Sequence, residues 1–349
     1  MSINTELLNK ICTTPGAPGF EQQVRELVIN EVKDLVDEIE VDNMGNVYAI
    51  KRGTGDKRVM IGAHMDEIGF IVTHIDDNGF IRFHTLGGFD PKTLTAQRVL
   101  IHGKKDVIGV MASKPIHVMT ADERNKVAKI KDYFIDTGLS VEEVKELVSI
   151  GDSITREREF IEMGNCVNGK SLDNRLAVFI LIETLKNLKD KAVPYDVYGV
   201  FTVQEEVGIR GANVSALRIN PDFGFGLDTT IAFDLPGAAK HEMITELGKG
   251  TAIKLMDAST ICDYRMVNYM KQTAEKHKIQ WQPEILTAGG TDTAGIQRMT
   301  EGGSIAGAIS IPTRHLHQVI EMANKDDIQG SIDLLCACVS DLDQFDWSF

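Results

Sequence analysis

The sequence VMIGAHMDE at residues 59–67 indicates the kind of sheet around which this chain folds. An unbroken apolar run that ends in polar residues is typical of a strand buried within a sheet. The end of such a strand places a polar side chain at the edge of the sheet. We therefore expect His64 at the end of a core strand. His64 and Asp66 are two residues apart, so on extended backbone their side chains point the same way. Asp66 can then accept the second ring N–H of a metal-bound His64.

Helical and extended patterns alternate on both sides of this strand, which is typical of a layered α/β sheet. Before it, helical spacing of apolar residues predicts two helices, and turn residues 42–46 separate two short strands. After residue 170 the patterns predict helices at 175–188, 261–278 and 328–342, and strands at 195–203, 222–228 and 304–311.

The pattern changes between about residues 69 and 163. Short alternating strands are predicted at 70–75, 80–83, 99–102 and 107–111, with one charged helix at 140–148. The sequence DDNG at residues 76–79 is typical of a hairpin turn between the first two strands. We therefore expect a small β-rich domain, residues 69–163, inserted into a larger α/β domain that residues 1–68 and 164–349 form together.

Composition excludes several classes of protein. The formal net charge is −14 and no basic stripe is present, so nucleic acid is not an expected partner. No stretch approaches the roughly 20 apolar residues that cross a bilayer, and no signal peptide is recognisable, so we expect no membrane partner and a cytoplasmic location. The five scattered cysteines predict reduced thiols, with Cys336 and Cys338 in the core rather than on a metal.

Histidines and carboxylates recur at five places where core strands are expected to end. A lone acidic residue in such a place is usually a helix cap or a solvated loop residue. The combination is different, because histidine, aspartate and glutamate are zinc ligands and a hydrolytic pair of ions needs one shared carboxylate. Two histidines, two aspartates and one glutamate suffice. The candidate places are His64–Asp66, Asp173, Glu205–Glu206, Asp228 and His315–His317.

The adjacent pair Glu205–Glu206 is the most informative of these places. Neighbours on a regular strand face opposite ways, so two glutamates that serve one site must lie on irregular backbone. Gly208 and Gly211 permit such a turn. One glutamate can then bind metal while the other remains free to move a proton. Spacing does not choose between His315 and His317.

Taken together, the motifs resemble the glutamyl aminopeptidase and tetrahedral (TET) aminopeptidase family of dinuclear metallopeptidases. The resemblance spans nearly the whole chain. It rests on GAHMDEIG (62–69), GGFDP (87–91), AQRV (96–99), LDNR (172–175), TVQEEVG (202–208), RGA (210–212), GGTD (289–292) and IPTR (311–314).

The resemblance implies a role for each candidate residue. Asp173 would bridge two divalent ions per subunit, zinc or cobalt, and a cis peptide bond would follow it. His64 and Asp228 would complete the coordination of one ion. Glu206 and His317 would complete the other, since the family pattern favours His317 over His315. Glu205 would be the general base and acid.

The resemblance also implies a three-layer α/β catalytic domain with a mixed central sheet, and a barrel-like insert that pairs subunits into dimers and then hollow dodecamers. The expected activity is an aminopeptidase that removes the first residue of peptide substrates, using a water activated between two metals. A deacylase or carboxypeptidase on a related scaffold, a glycosidase and an inactive assembly protein are the alternatives. A glycosidase normally uses two free carboxylates without metal. Changes at Phe233, Leu235, Thr293 and Gln318 leave the preferred N-terminal residue open.

Overall fold

The computed structural model describes residues 3–349 as a large sheet covered by helices, together with a closed barrel. The strands are β1 (Glu38–Val41), β2 (Val47–Lys51), β3 (Arg58–His64), β4 (Gly69–Ile75), β5 (Ile81–Leu86), β6 (Arg98–His102), β7 (Asp106–Ala112), β8 (Phe134–Asp136), β9 (Ser153–Arg156), β10 (Ile161–Met163), β11 (Cys166–Gly169), β12 (Asp196–Thr202), β13 (Phe223–Ile231), β14 (Thr251–Met256), β15 (Trp281–Ile285), β16 (Ile305–Arg314) and β17 (Glu321–Asn324). The α-helices are α1 (Thr5–Thr13), α2 (Gln22–Val32), α3 (Ala121–Arg124), α4 (Val141–Leu147), α5 (Leu172–Leu188), α6 (Arg210–Ile219), α7 (Tyr264–His277), α8 (Asp292–Arg298) and α9 (Lys325–Ser340).

The large sheet is mixed, in the order β1-β2-β12-β3-β13-β16-β17-β11-β10, and β14 joins it beside β16 with β15 outside. Its centre is parallel: β3 lies between β12 and β13, and β13 pairs with β16. Because parallel strands end at the same edge, the residues that follow these four strands meet there. The buried run of β3 therefore lies where its sequence predicted.

Helices cover both faces of the sheet and complete three layers. The helices α1, α2, α5, α7 and α9 contribute to the larger apolar core on one face, whereas α6 and α8 pack on the other. Helix α5 is the centre of the larger core, because most of its residues from Leu172 to Leu188 are buried. The expected α/β class and its layering are confirmed.

The barrel closes in the order β4-β5-β8-β7-β6-β9. It has its own apolar core, in which Phe70 stacks on Phe89 at 4.5 Å between ring centroids. Its last strand ends at Arg156, and Ile161–Met163 already pairs within the large sheet. The proposed division into domains at residues 69 and 163 stays a prediction, as does the role of the insert in dimers.

Several elements differ from the sequence-based expectations. Helix α7 begins at Tyr264, three residues later than expected, because the side chain of Asp263 caps it by accepting the N–H of Arg265. Strand β13 continues to Ile231 because its pairing with β16 extends that far. The patterns did not predict helices α3, α6 and α8 or strands β8, β9, β10, β11, β14, β15 and β17, most of which are short.

Between residues 3 and 349, no helix combines the length and the apolar character that a membrane span requires. The five cysteines are free, as expected. Cys338 is buried in the core as expected, whereas Cys336 is only half-buried against it.

Candidate metal centre

The shared edge of the four parallel strands brings the predicted site residues together. His64 is the last residue of β3 and lies opposite Thr202, the last residue of β12. Glu205 and Glu206 follow β12 closely, and His317 follows β16. Loop residues from different parts of the chain therefore meet around the tip of β3.

Asp228 reaches this edge from inside a strand, which differs from the expected strand end. Gly226 on β13 pairs with Gly62 on β3, so Asp228 is level with His64 two residues further on. Strand β13 continues because β16 supports it beyond β3. The side chain of Asp228 is buried, and its Oδ1 accepts the N–H of Thr229 at 2.8 Å.

Asp173 lies between the two histidines. Its Oδ1 is 3.4 Å from Nε2 of His64, and its Oδ2 is 3.4 Å from Nε2 of His317. Asp228 Oδ1 lies 3.8 Å from Nε2 of His64, and Glu206 Oε1 lies 3.6 Å from Nε2 of His317. One carboxylate thus presents one oxygen to each half of the cluster.

Both histidines present the same ring nitrogen to these carboxylates. Nδ1 of His64 lies 3.1 Å from the main-chain oxygen of Asp66, and Nδ1 of His317 lies 2.8 Å from that of Gly88. A carbonyl oxygen can only accept, so Nδ1 is the donor in each ring. The Nε2 atoms are therefore the ones available to a metal, in the arrangement that metal-binding histidines normally have.

The carboxylate of Asp66 does not accept the ring N–H of His64 as had been expected. The carboxylate is 3.5 Å from Nδ1 of His64, further away than the main-chain oxygen of the same residue. Its two oxygens instead accept the main-chain N–H groups of Glu205 and Glu206, each at 3.0 Å. Asp66 therefore fixes the turn that carries both glutamates.

The backbone around this turn is irregular, as the adjacent glutamates required. Gln204 and Ile209 have positive φ values of 56° and 57°. The buried carboxylate of Glu21 accepts the N–H of Gln204 at 3.1 Å. Gly211 allows the start of α6 to lie close to the backbone of Val203, since a Cβ at this position would lie 2.5 Å from the carbonyl oxygen of Val203.

The first turn of α5 is equally irregular and places Asp173. The Asp173–Asn174 peptide bond is cis, as the resemblance implied. The side chain of Asn174 donates to the carbonyl of Leu227, next to Asp228, at 2.9 Å. The N–H of Asp173 donates to Oε2 of Glu321 at 3.0 Å. These contacts join Asp173 to β13 and β17.

The charges of the centre are poorly balanced by the protein alone. Burial raises the pKa of Glu205 well above its ordinary value, against the effect of His64, and raises that of Glu206 to about 8 with help from Asp173. Burial would lower the pKa of His317, but Asp173 and Glu206 raise it to about 10. Burial would raise the pKa of Asp173, yet the two histidines hold it well below its usual range.

The side chains present fit divalent cations. Two groups in the described chain hold their ligand atoms within 4.8 Å of one another: His64, Asp173 and Asp228, and Asp173, Glu206 and His317. Glu206 Oε1 is buried and has no hydrogen-bond partner among residues 3–349. Nitrogen and oxygen donors of this kind suit zinc and similar ions. Glu205 belongs to neither group, although its Oε2 lies 3.8 Å from Nε2 of His64.

A cavity of about 560 Å³ opens beside this cluster. Away from the candidate ligands most of its wall is neutral, with Ile209, Leu286 and Thr291, and it also carries one ion pair, Lys254 with Asp257 at 2.9 Å. A volume of this size is in the range of small-molecule sites. The cluster is therefore accessible to a ligand from one side.

The remaining histidines lie outside both groups. His315 is half-buried and is not part of either one, so the structure brings His317 to the cluster as the family pattern favoured. His74, His84, His117, His241 and His277 are exposed, and His102 contacts Asp106 and Thr155 in the barrel.

Three residues that support the cluster were not predicted from the sequence: Glu21, Arg156 and Glu321. Each is buried and charged. Glu321 had one visible signal, an acidic residue in an otherwise apolar run four residues after His317. Their contacts span 148 to 183 residues of sequence, so no local pattern could assign them.

The chain is similar to known peptidases over most of its length. The model of the M42 glutamyl aminopeptidase family matches residues 45–334. The lysyl aminopeptidase of Pyrococcus furiosus is 32% identical, and the match covers 99% of this chain and 99% of that protein.

Solved structures of similar proteins share the fold. The TET aminopeptidase of a marine sediment Thaumarchaeota archaeon has a TM-score of 0.94 and 36% identity, over 97% of this chain and 96% of that one. The Pyrococcus horikoshii TET1 peptidase, which can assemble into a tetrahedron or a large octahedral shell, has a TM-score of 0.87 and 33% identity, over 96% of this chain and 98% of that one.

Proposed function

The chain belongs to the M42 glutamyl aminopeptidase family, and on that premise we propose how its cluster removes the N-terminal residue of peptides. Asp173 would be shared by two divalent ions, zinc or cobalt, and Glu205 would be the general base. The observation that carries this proposal is the position of Asp173, whose two carboxylate oxygens each lie 3.4 Å from a different histidine.

The ligands divide between the ions by proximity. His64 and Asp228 would hold one ion and Glu206 and His317 the other, with Asp173 shared. When bound, such a pair lowers the pKa of a water molecule and withdraws charge from a substrate carbonyl oxygen.

Glu205 is the residue that moves the proton. Its carboxylate is buried at the cluster and belongs to neither ligand group, so it remains free to accept a proton from the attacking water. It then delivers this proton to the departing nitrogen of the peptide. Asp66 keeps the carboxylate in place by accepting the N–H groups of Glu205 and Glu206.

The substrate binds in the cavity beside the cluster. The free amino group of the peptide is attracted to the carboxylates, which restricts cleavage to the first residue. The first side chain then lies along the largely neutral wall of the cavity. The chain would associate through the barrel into dimers, and the dimers into a dodecamer. In such an assembly only peptides would reach the site.

A panel of substrates tests the proposed function. Aminoacyl-anilides and peptides with a free amino end should be hydrolysed by zinc- or cobalt-loaded protein, and a chelator should stop turnover. Matched peptides with an acetylated amino end should be stable. Cleavage of the acetyl group would indicate a deacylase, and release of the last residue would indicate a carboxypeptidase.

A further inference from the structure

His317 needs more support than the other proposed ligands. It lies on irregular backbone with φ of 61°, just beyond the end of β16, and its side chain is 38% exposed. His64, by comparison, ends a buried strand and its side chain is 1% exposed. A partly exposed side chain on a loop has many conformations open to it, so other groups must restrict it.

Three contacts restrict His317, and two of them come from the barrel side. Its ring Nδ1 donates to the main-chain oxygen of Gly88 at 2.8 Å, in the connection between β5 and β6. Nη1 of Arg156, the last residue of β9, donates to its main-chain oxygen at 3.0 Å. Its own N–H donates to Oε1 of Glu321 at 2.8 Å, from β17.

Arg156 is an unusual residue to find in this place. It is 2% exposed, and its Nε and Nη2 atoms are buried without a hydrogen-bond partner in the described chain. Burial of a guanidinium with so few hydrogen bonds is costly. The guanidinium lies 5.5 Å from the ring centroid of Phe89, the neighbour of Gly88, so the two barrel contacts with His317 support each other.

Glu321 extends this arrangement to the shared ligand. Its Oε2 accepts the N–H of Asp173 while its Oε1 accepts the N–H of His317. The charge of Arg156 acts on this carboxylate as well. Arg156 and Glu321 thus hold the main chain of His317 from its two sides, and Glu321 also holds Asp173.

We propose that Arg156 is a positioning residue that holds His317 from the barrel, so that the second cation site, formed by Asp173, Glu206 and His317, is complete only with the barrel in place. This inference rests on the proposed function for the presence of two ions. Loss of Arg156 should loosen His317 and weaken that site, while the site of His64 and Asp228 keeps its affinity.

Metal titration of the full chain tests the proposal without any substrate. Metal-free Arg156→Met is titrated with Co²⁺ by calorimetry beside wild type, and His317→Ala identifies the binding event that belongs to the second site. We expect Arg156→Met to weaken this binding event about ten- to a hundredfold, the usual effect of losing a residue that supports a metal ligand. The other binding event should be unchanged. Arg156→Lys, which keeps the charge and a donor, should recover part of the loss.

Arg98→Met is the matched control. Arg98 lies on the neighbouring barrel strand β6, is 56% exposed and pairs with Glu157 at 2.9 Å rather than with His317. It should bind both ions as wild type does, and thermal unfolding of the metal-free variants reports any general loss of stability. If Arg156→Met does not fold, Arg156→Lys must still weaken the second event.

Unchanged binding in the folded Arg156 variants, or equal weakening of both events, would overturn the proposal. Wild type that binds fewer than two ions would overturn it too. Wild type that binds two ions but hydrolyses no peptide would refute the proposed function and leave the role of Arg156 intact.

Discussion

The two halves of the candidate metal centre are built in different ways. The half with His64 and Asp228 stands on the adjacent parallel strands β3 and β13, whose pairing sets both side chains at one level. The half with Glu206 and His317 stands on loops with positive φ values at Gln204 and His317. Regular pairing fixes the first half, whereas long-range hydrogen bonds fix the second.

The two halves should therefore differ in their tolerance of substitutions. The first half is as stable as the sheet, because loosening it requires breaking strand pairs in the core. The second half depends on single contacts from Asp66, Glu321, Gly88 and Arg156. Asp173 belongs to both halves, and variants that act on one half or on both can test the comparison.

The largest effect is expected where the halves meet. Asp173→Ala removes the carboxylate that faces both histidines, so both ions should be lost and turnover should fall to background. Metal analysis and an aminopeptidase assay check this. Asp190→Ala, which changes an exposed aspartate just after α5, should be neutral. An Asp173→Ala protein that keeps two ions would refute the shared role.

Glu205→Gln should separate chemistry from metal binding. General acid–base catalysis typically contributes about 10²–10⁴-fold, so kcat should fall by that range while both ions remain. The comparison variant is Glu206→Gln, which should lose affinity in the second half. Substantial activity in Glu205→Gln would rule out Glu205 as the base.

Asp66→Asn tests how strongly the half with Glu206 and His317 depends on the turn that carries Glu205 and Glu206. The amide can accept one main-chain N–H instead of two, so the turn with Glu205 and Glu206 should loosen. We expect kcat to fall about ten- to a hundredfold, with the first half still able to bind its ion. Equal loss of both ions would show that Asp66 serves the whole centre rather than this turn.

The smallest effect is a pH dependence of metal binding. The pKa of Glu206 is raised to about 8 and that of His317 to about 10, so in the metal-free protein these two side chains together hold more protons at pH 6 than at pH 8. A metal must displace these protons, and affinity should therefore rise as pH increases from 6 to 8. Calorimetry in buffers of different ionisation enthalpy counts the released protons. Equal affinity at pH 6 and 8 would contradict this account.

The same contrast explains how much the sequence predicted. The run at residues 59–64 predicted the buried strand, and the motifs identified the family and hence the candidate ligands. Local periodicity predicted that the strand ends at Asp228. It could not show that pairing with β16 extends β13 as far as Ile231. The role of Asp66 as an anchor for Glu205 and Glu206 was not predicted, since these contacts join residues that are 139 and 140 positions apart.

Supporting residues were harder to predict than ligands for a physical reason. A ligand must carry a particular chemistry, so histidine and carboxylates stand out in the sequence. Arg156 and Glu321 act through main-chain groups of His317 and Asp173, and only the three-dimensional structure reveals which charged residue lies against which backbone.

The most direct test of the central claim is anomalous diffraction from crystals of the wild-type protein loaded with zinc. This account predicts two peaks in the centre, one beside each carboxylate oxygen of Asp173, with Glu205 bound to neither. A single peak, or an ion coordinated by Glu205, would contradict it.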